Sequence, residues 1–275
     1  MSESQSSFRV TVTQLTEARE LVHRAKCLLL DWDGCVAIAN RPRPAALAFI
    51  ARNVHRCAIV SNNSTHLPGD IADILEADGV AFPSSRIFLA GAEAVARAVP
   101  ARVPTMVVGN PRLKARGREL GLTMSDSDVG QVVLLRDTKF TYARLQRAVT
   151  ALRAGARLIV ANPDQTHPGP DGGIVPETGA LLAAIEACLD TADLDMEIVG
   201  KPAPHLFSRA CASLDTRPEH AVMIGDNPLT DAAGAGALDM PSILVEPGSA
   251  LSFDDLARES LGARPATGMD LRAYL

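Results

Sequence analysis

The chain has 275 residues, of which 47% are hydrophobic and 21% are charged. This length is sufficient for a full hydrophobic core and for two domains. The formal net charge of −5 argues against nucleic acid or an anionic membrane as the main partner, because both favour basic surfaces.

The first part of the chain alternates predicted strands and helices. Short apolar runs that stop at polar residues or glycine indicate buried strands, and the segments between them have helical patterns. Strands are predicted at 26–31, 57–61 and 87–90, and helices at 42–53, 67–78 and 92–98. This alternation predicts a parallel sheet with right-handed crossovers.

A new set of elements begins after residue 104. Strands are predicted at 105–108, 131–135 and 157–161, and helices at 112–120, 142–153 and 178–188. The segment 165–176 is rich in Gly and Pro and is predicted to be a loop. After residue 195 the first pattern resumes, with a helix at 205–213 and a strand at 221–224.

This order predicts an α/β protein with a doubly wound, Rossmann-like parallel-sheet core that is interrupted by an inserted α/β domain. The core is expected to comprise residues 1–102 and 196–275, and the insert residues 103–195. An insert of that length can form a hydrophobic core of its own.

The cysteines and the apolar runs indicate the expected cellular location of the protein. The five cysteines are an odd number without a C-x-x-C pair, which is typical of reduced thiols in a cytosolic protein. No apolar run approaches membrane-spanning length, and residues 1–25 lack the apolar segment of a signal peptide. We therefore expect a soluble, cytoplasmic protein without a membrane partner.

Chemically active side chains recur where predicted strands end. These groups are Asp31 and Asp33, the run 61–64 (Ser-Asn-Asn-Ser), Lys201, and Asp226 with Asp231. Each alone has an ordinary interpretation as a turn, a helix cap or a solvated lysine. In an open α/β sheet, however, ligands bind at the carboxyl ends of the strands, so the four groups together predict one site. A carboxylate there can attack phosphorus while its neighbour transfers protons.

The order and spacing of these motifs resemble the haloacid dehalogenase superfamily of phosphohydrolases. The family pattern is D-x-D-G after the first strand, Ser or Thr after the second, a Lys, and then G-D-x-x-x-x-D. The insert lies between the Ser and Lys motifs, which is the position of the family's C2 cap. The runs 61–65 (Ser-Asn-Asn-Ser-Thr) and 162–164 (Asn-Pro-Asp) look like the NagD-like subfamily, class IIA.

The resemblance implies a role for each motif residue. Asp31 would be the nucleophile and Asp33 the general acid and base. Mg²⁺ would be held by Asp31, the backbone carbonyl of Asp33 and Asp226, and Asp231 would orient a metal-bound water or Lys201. The groups implied to bind the substrate phosphate are Ser61, Asn62, Asn63 and Lys201.

The expected activity is Mg²⁺-dependent hydrolysis of a small phosphorylated metabolite through an aspartyl-phosphate. A phosphotransferase that passes the phosphoryl group to an alcohol remains an alternative, and so does a non-catalytic phosphometabolite-binding protein on the same scaffold. Trp32, inside the first motif, is expected to pack under the sheet edge rather than to contact substrate. The subfamily often dimerises through its caps, so a homodimer is possible, and the sequence leaves the substrate itself open.

Overall fold

The structure is a computed structural model that describes residues 12–168, 173–189, 194–245, 249 and 251–257. The strands in chain order are β1 (Cys27–Leu30), β2 (Ala37–Ile38), β3 (Arg41–Pro42), β4 (Cys57–Ser61), β5 (Ile87–Leu89), β6 (Thr105–Val108), β7 (Gln131–Leu134), β8 (Arg157–Val160), β9 (Thr166–Pro168), β10 (Ile174–Pro176), β11 (Met196–Ile198), β12 (Ala221–Gly225) and β13 (Ser242–Leu244). The helices are α1 (Val12–Arg24), α2 (Pro44–Asn53), α3 (Pro68–Ala77), α4 (Ala90–Ala98), α5 (Pro111–Glu119), α6 (Tyr142–Arg153), α7 (Thr178–Glu186), α8 (His205–Ser213), α9 (Ala233–Gly236) and α10 (Phe253–Ala257).

The first sheet is parallel, with strand order β13-β12-β1-β4-β5. Its central strand β1 consists of four apolar residues, all of them buried. A strand covered on both faces needs apolar side chains at every position, which explains this uninterrupted run. Leu28 and Leu30 pack on one face with Phe49, whereas Leu29 packs on the other face with Phe207.

The second sheet is also parallel, with strand order β11-β8-β7-β6. Leu158 and Val160 face a cluster that includes side chains of α6 and α7. Ile159, on the opposite face, belongs to the cluster that contains Leu29 of the first sheet and Val95 of α4. One continuous hydrophobic core therefore joins the two sheets.

The predicted α/β architecture with parallel sheets is confirmed, and most predicted elements lie within a few residues of their expected bounds. The prediction of a loop at 165–176 is wrong, because β9 and β10 pair there as an antiparallel ladder. Its three-residue strands lie among prolines and glycines, and such a composition predicts a loop. Residues 169–172 between these strands lie outside the described part of the chain.

Seven further elements were not predicted, namely α1, α9, α10, β2, β3, β11 and β13. Helix α1 is mostly polar, and it buries Ala18 and Val22, spaced four residues apart, against the hydrophobic cluster that contains Leu28, Leu30 and Phe49 (the first cluster). Strand β11 pairs with β8, so the second sheet continues to Ile198, three residues beyond the predicted end of the insert. The division of the chain near residues 103 and 196 stays a prediction. In the described ranges, no helix is long and apolar enough to cross a membrane.

Ile159→Ala tests the core shared by the two sheets. Ile159 is completely buried, so its truncation should lower the free energy of unfolding by about 2–5 kcal/mol. Ile174→Ala is the matched control, because Ile174 is 79% exposed and its loss should change stability by only about 0.5 kcal/mol. Urea denaturation followed by circular dichroism measures both. Equal effects of the two substitutions would contradict the assigned packing.

Candidate active site

Four groups named from the sequence meet at the carboxyl edge of the first sheet. Asp31 directly follows β1, and its backbone N–H donates to Ile224 O of β12 at 2.9 Å. Ser61 is the last residue of β4, and Asp226 directly follows β12. Lys201 arrives from the second sheet, three residues after β11 ends. Both sheets therefore contribute to the site.

Lys201 forms a buried ion-pair network with two carboxylates. Its Nζ donates to Asp31 Oδ1 and to Asp231 Oδ1, each at 2.6 Å. The three side chains are 2%, 7% and 1% exposed, respectively. Burial alone would lower the pKa of Lys201, but Asp231 and Asp31 outweigh it and raise that pKa above the ordinary lysine value. The ammonium is therefore a fixed positive charge.

Asp33 lies in a different environment from Asp31. It is exposed, and its Oδ2 accepts hydrogen bonds from Ser61 Oγ at 3.2 Å and Asn63 Nδ2 at 3.1 Å. Gly34 follows it with a φ of +91°, and a side chain at that position would collide with the Asp226 carboxylate. One carboxylate of the D-x-D-G motif is thus enclosed, and the other is open to solvent.

A cluster of three carboxylates is suited to a divalent cation. Oxygen atoms of Asp31, Asp226 and Asp231 lie within 4.8 Å of one another. Burial raises the pKa of Asp31 well above its usual range, and the charges of Asp231 and Asp226 add to this effect. Burial and Asp231 likewise raise the pKa of Asp226. Carboxylate oxygens are the ligands that Mg²⁺ prefers, so the donor set fits that ion.

Asp231 is held by the local backbone as well as by Lys201. It lies in a π-helical turn, Pro228–Ala232, and its Oδ2 accepts from the backbone N–H of Asn227 at 3.1 Å. Such wide turns are frequent at functional sites. Both oxygens of Asp231 therefore have partners in the protein, which leaves Asp31 and Asp226 as the better candidates for direct metal ligands.

Asn62 connects the first sheet to the segments that follow β8 and β11 of the second sheet. Its side-chain Nδ2 donates to Asp164 Oδ2 and to Lys201 O, both at 3.0 Å. Its backbone carbonyl accepts from Asn162 Nδ2 at 2.7 Å. The sequence pointed to 162–164 only as part of the resemblance, and it gave those residues no contact with the site.

The structure brings together all the site residues named from the sequence, namely Asp31, Asp33, Ser61, Asn62, Asn63, Lys201, Asp226 and Asp231. Trp32 packs in the first cluster and is completely buried, as expected, with its Nε1 donating to Asn40 Oδ1 at 3.0 Å. Sequence reasoning missed one cluster of polar side chains, in which Glu177 Oε1 lies 2.8 Å from His167 Nδ1 and 3.5 Å from Arg136 Nε. Arg136 follows β7, whereas His167 and Glu177 are brought together by the pairing of β9 with β10, and no motif signals the contact of the three.

Comparison with known proteins agrees with this geometry. A family model described as HAD-hydrolase-like matches residues 198–267. A dihydroxyacetone phosphatase of Corynebacterium glutamicum is 30% identical over 226 residues, which cover 80% of each chain. A D-glycerol 3-phosphate phosphatase of Mycobacterium tuberculosis is 27% identical over 279 residues, covering 93% of this chain and 72% of the relative. The structure of NagD from Escherichia coli K-12 superposes with a TM-score of 0.70 and 26% identity, covering 88% of this chain and 94% of NagD.

The carboxylate pair, the buried lysine and these similarities define a phosphate-ester hydrolase. The chain belongs to the haloacid dehalogenase superfamily, and it is a phosphatase of the NagD-like subfamily. The resemblance drawn from the motifs is thereby confirmed.

Asp226→Asn tests the electrostatic cost of the carboxylate cluster. A carboxyl whose pKa is raised on folding destabilises the native state once it ionises, so the neutral amide should be stabilising at pH 7 in EDTA. Since Asp226 is partly solvated, we expect a gain of about 1 kcal/mol, or roughly 2–4 °C in Tm. Asp73→Asn, on the exposed side of α3, is the control.

The same variant tests cation binding. Added Mg²⁺ should raise the Tm of the wild type more than that of Asp226→Asn, because a ligand stabilises the state that binds it. Differential scanning fluorimetry measures both effects. A lower Tm of the variant in EDTA, together with an unchanged response to Mg²⁺, would contradict the cluster as a cation site.

Proposed function

We propose that this protein hydrolyses the phosphomonoester of a small metabolite in a Mg²⁺-dependent reaction that passes through an aspartyl-phosphate on Asp31. The observation that carries the proposal is the contrast between the two motif carboxylates. Asp31 is buried against Lys201, whereas Asp33 is exposed and bonded to Ser61 and Asn63. Two carboxylates in different environments can take different roles in one reaction.

Asp31 would form the covalent intermediate. A carboxylate oxygen attacks phosphorus, the bond from phosphorus to the substrate oxygen breaks, and the alcohol leaves. Water then attacks the acyl phosphate, which releases inorganic phosphate and restores the carboxylate. This route splits one difficult displacement into two easier ones. Lys201, at 2.6 Å from Asp31 Oδ1, keeps that carboxylate oriented.

Asp33 would move the protons. It donates a proton to the departing alkoxide in the first step, and it removes a proton from the attacking water in the second. Its exposure to solvent supports this role, because the group must exchange protons with both alcohol and water. Its contacts with Ser61 and Asn63 hold the carboxylate at the carboxyl edge of the sheet.

The remaining groups would stabilise charge on the phosphoryl oxygens. The Ser61 hydroxyl, the Asn62 backbone N–H and the Asn63 amide are hydrogen-bond donors, and Lys201 supplies a positive charge. Phosphoryl transfer depends mainly on such positioning and electrostatic stabilisation.

Mg²⁺ would be held by Asp31 and Asp226, with the backbone carbonyl of Asp33 as the third protein ligand that the resemblance implies. When bound, the ion neutralises the repulsion between the carboxylates and the substrate phosphate. Asp231 would act on Lys201, since its Oδ1 accepts from the ammonium at 2.6 Å.

The substrate class is proposed from the relatives. The two curated relatives are named for dihydroxyacetone phosphate and D-glycerol 3-phosphate hydrolysis, so we infer a small sugar or polyol phosphate. A phosphate-release screen over sugar phosphates, nucleotides, phosphoglycolate and pyridoxal phosphate tests this. Homodimerisation through the insert and a cytoplasmic location are further parts of the proposal, and light scattering tests the first of them.

Asp31→Asn tests the nucleophile. An amide cannot form the acyl phosphate, so kcat should fall about a thousandfold or more on the best substrate of the screen. The fold should be retained, because the amide has nearly the shape of the carboxylate. Asp73→Asn again serves as the control and should turn over at the wild-type rate. Turnover by Asp31→Asn within tenfold of the wild type would rule out the assigned nucleophile.

A further inference from the structure

Two neighbouring strands of the second sheet end beside the catalytic lysine. Strands β8 and β11 are parallel, and their pairing continues past their last residues. Val199 N donates to Val160 O at 2.9 Å, and Gly200 N donates to Ala161 O at 2.7 Å. The residues that follow the two strands therefore lie side by side, with Asn162 and Asp164 after β8 and Lys201 after β11.

The Asn62 side chain lies between these two strand ends. Its Oδ1 accepts from Lys201 N at 2.7 Å, while its Nδ2 donates to Lys201 O and to Asp164 Oδ2. The Asn62 amide thus accepts from the backbone N–H of Lys201 and donates to its backbone carbonyl. A carboxylate acceptor strengthens the bond to Asn62 Nδ2, because charge-assisted hydrogen bonds are stronger than neutral ones.

The close approach of Asn62 and Ala161 to the main chain limits the side chain that position 200 can have. A Cβ on Gly200 would lie 2.5 Å from Asn62 Oδ1 and 2.5 Å from Ala161 O. Only glycine leaves room for the amide at this position. The backbone at Lys201 is therefore fixed by Asn62 on one side and by the ladder with β8 on the other, before its side chain reaches Asp31.

We propose that Asp164 and Asn162 are positioning residues for the reaction, acting through Asn62 to fix the backbone of Lys201. This inference rests on the proposed function, in which Lys201 stabilises the transferring phosphoryl group. It gives the insert a part in the chemical step for every substrate, in addition to any part in choosing among substrates. Residues that orient the ligands of a metal site typically contribute about 10–100-fold, and we expect an effect of similar size for residues that orient Lys201.

The first test compares Asp164→Ala with Asp164→Asn, using two substrates of different size, one of them p-nitrophenyl phosphate. Asp164→Ala should lower kcat about tenfold on both substrates while the ratio of their KM values stays unchanged. Asp164→Asn keeps one oxygen that can accept from Asn62 and should recover most of the loss. Asp126→Ala is the matched control, since Asp126 is an acidic residue of the insert whose side chain is 68% exposed.

A change in KM for one substrate, with kcat retained on the other, would overturn the proposal and make Asp164 a residue that contacts the leaving group. Loss of activity in Asp164→Ala without any recovery in Asp164→Asn would also contradict it.

The second test is a double-mutant cycle between Asp164→Ala and Asn62→Ala. If Asp164 acts through Asn62, its substitution should change kcat less than twofold in the Asn62→Ala background. Independent, multiplicative effects would overturn the proposal.

The same cycle measured by urea unfolding needs no activity. Non-additive shifts of the unfolding midpoint support the contact, and additive shifts refute it. A wild-type protein that releases no phosphate would refute the proposed function, while the unfolding cycle would still decide whether Asp164 holds Asn62.

Discussion

The site depends on one buried ammonium group. Lys201 is almost fully enclosed, and an unpaired charge in that position would be prohibitively costly. Its two carboxylate partners, Asp31 and Asp231, offset this cost only when they are held at hydrogen-bonding distance. Strand β1 supplies one partner and the π-helical turn after β12 supplies the other, and these two strands are neighbours in the first sheet.

The same arrangement concentrates negative charge. Three carboxylates and one ammonium leave an excess of negative charge in a largely buried space, which explains why burial and mutual repulsion raise the pKa values of Asp31 and Asp226. A protein selected only for stability would not group carboxylates in this way. The grouping has a physical reason when a divalent cation and a phosphate dianion bind there in turn.

The strands and the motif residues at their ends could be predicted from the sequence, because an apolar run followed by Asp or Ser is a local pattern. It predicted β4 and β6 with their observed bounds. The contacts of Asn62 could not be predicted from the sequence, since they join Asn62 to Asn162 and Lys201, which are 100 and 139 positions away. Sequence reasoning also missed β9 and β10, whose pairing is set by contacts between short segments rather than by composition. The motifs and the family resemblance that they carry therefore predict the reaction class, and long-range packing determines how its groups are held.

We infer that the phosphoryl group passes through Asp31, and trapping the aspartyl-phosphate tests this inference. With p-nitrophenyl phosphate as the substrate, whose leaving group departs without a general acid, Asp33→Asn should slow hydrolysis of the acyl phosphate more than its formation, because no carboxylate then activates water. Acid quenching after mixing with substrate and Mg²⁺, followed by peptide mass spectrometry, should show one phosphoryl group on the peptide that contains Asp31. The double variant Asp31→Asn, Asp33→Asn should show none. Phosphate release with no labelled peptide at any quench time, or the same label in the double variant, would contradict the mechanism.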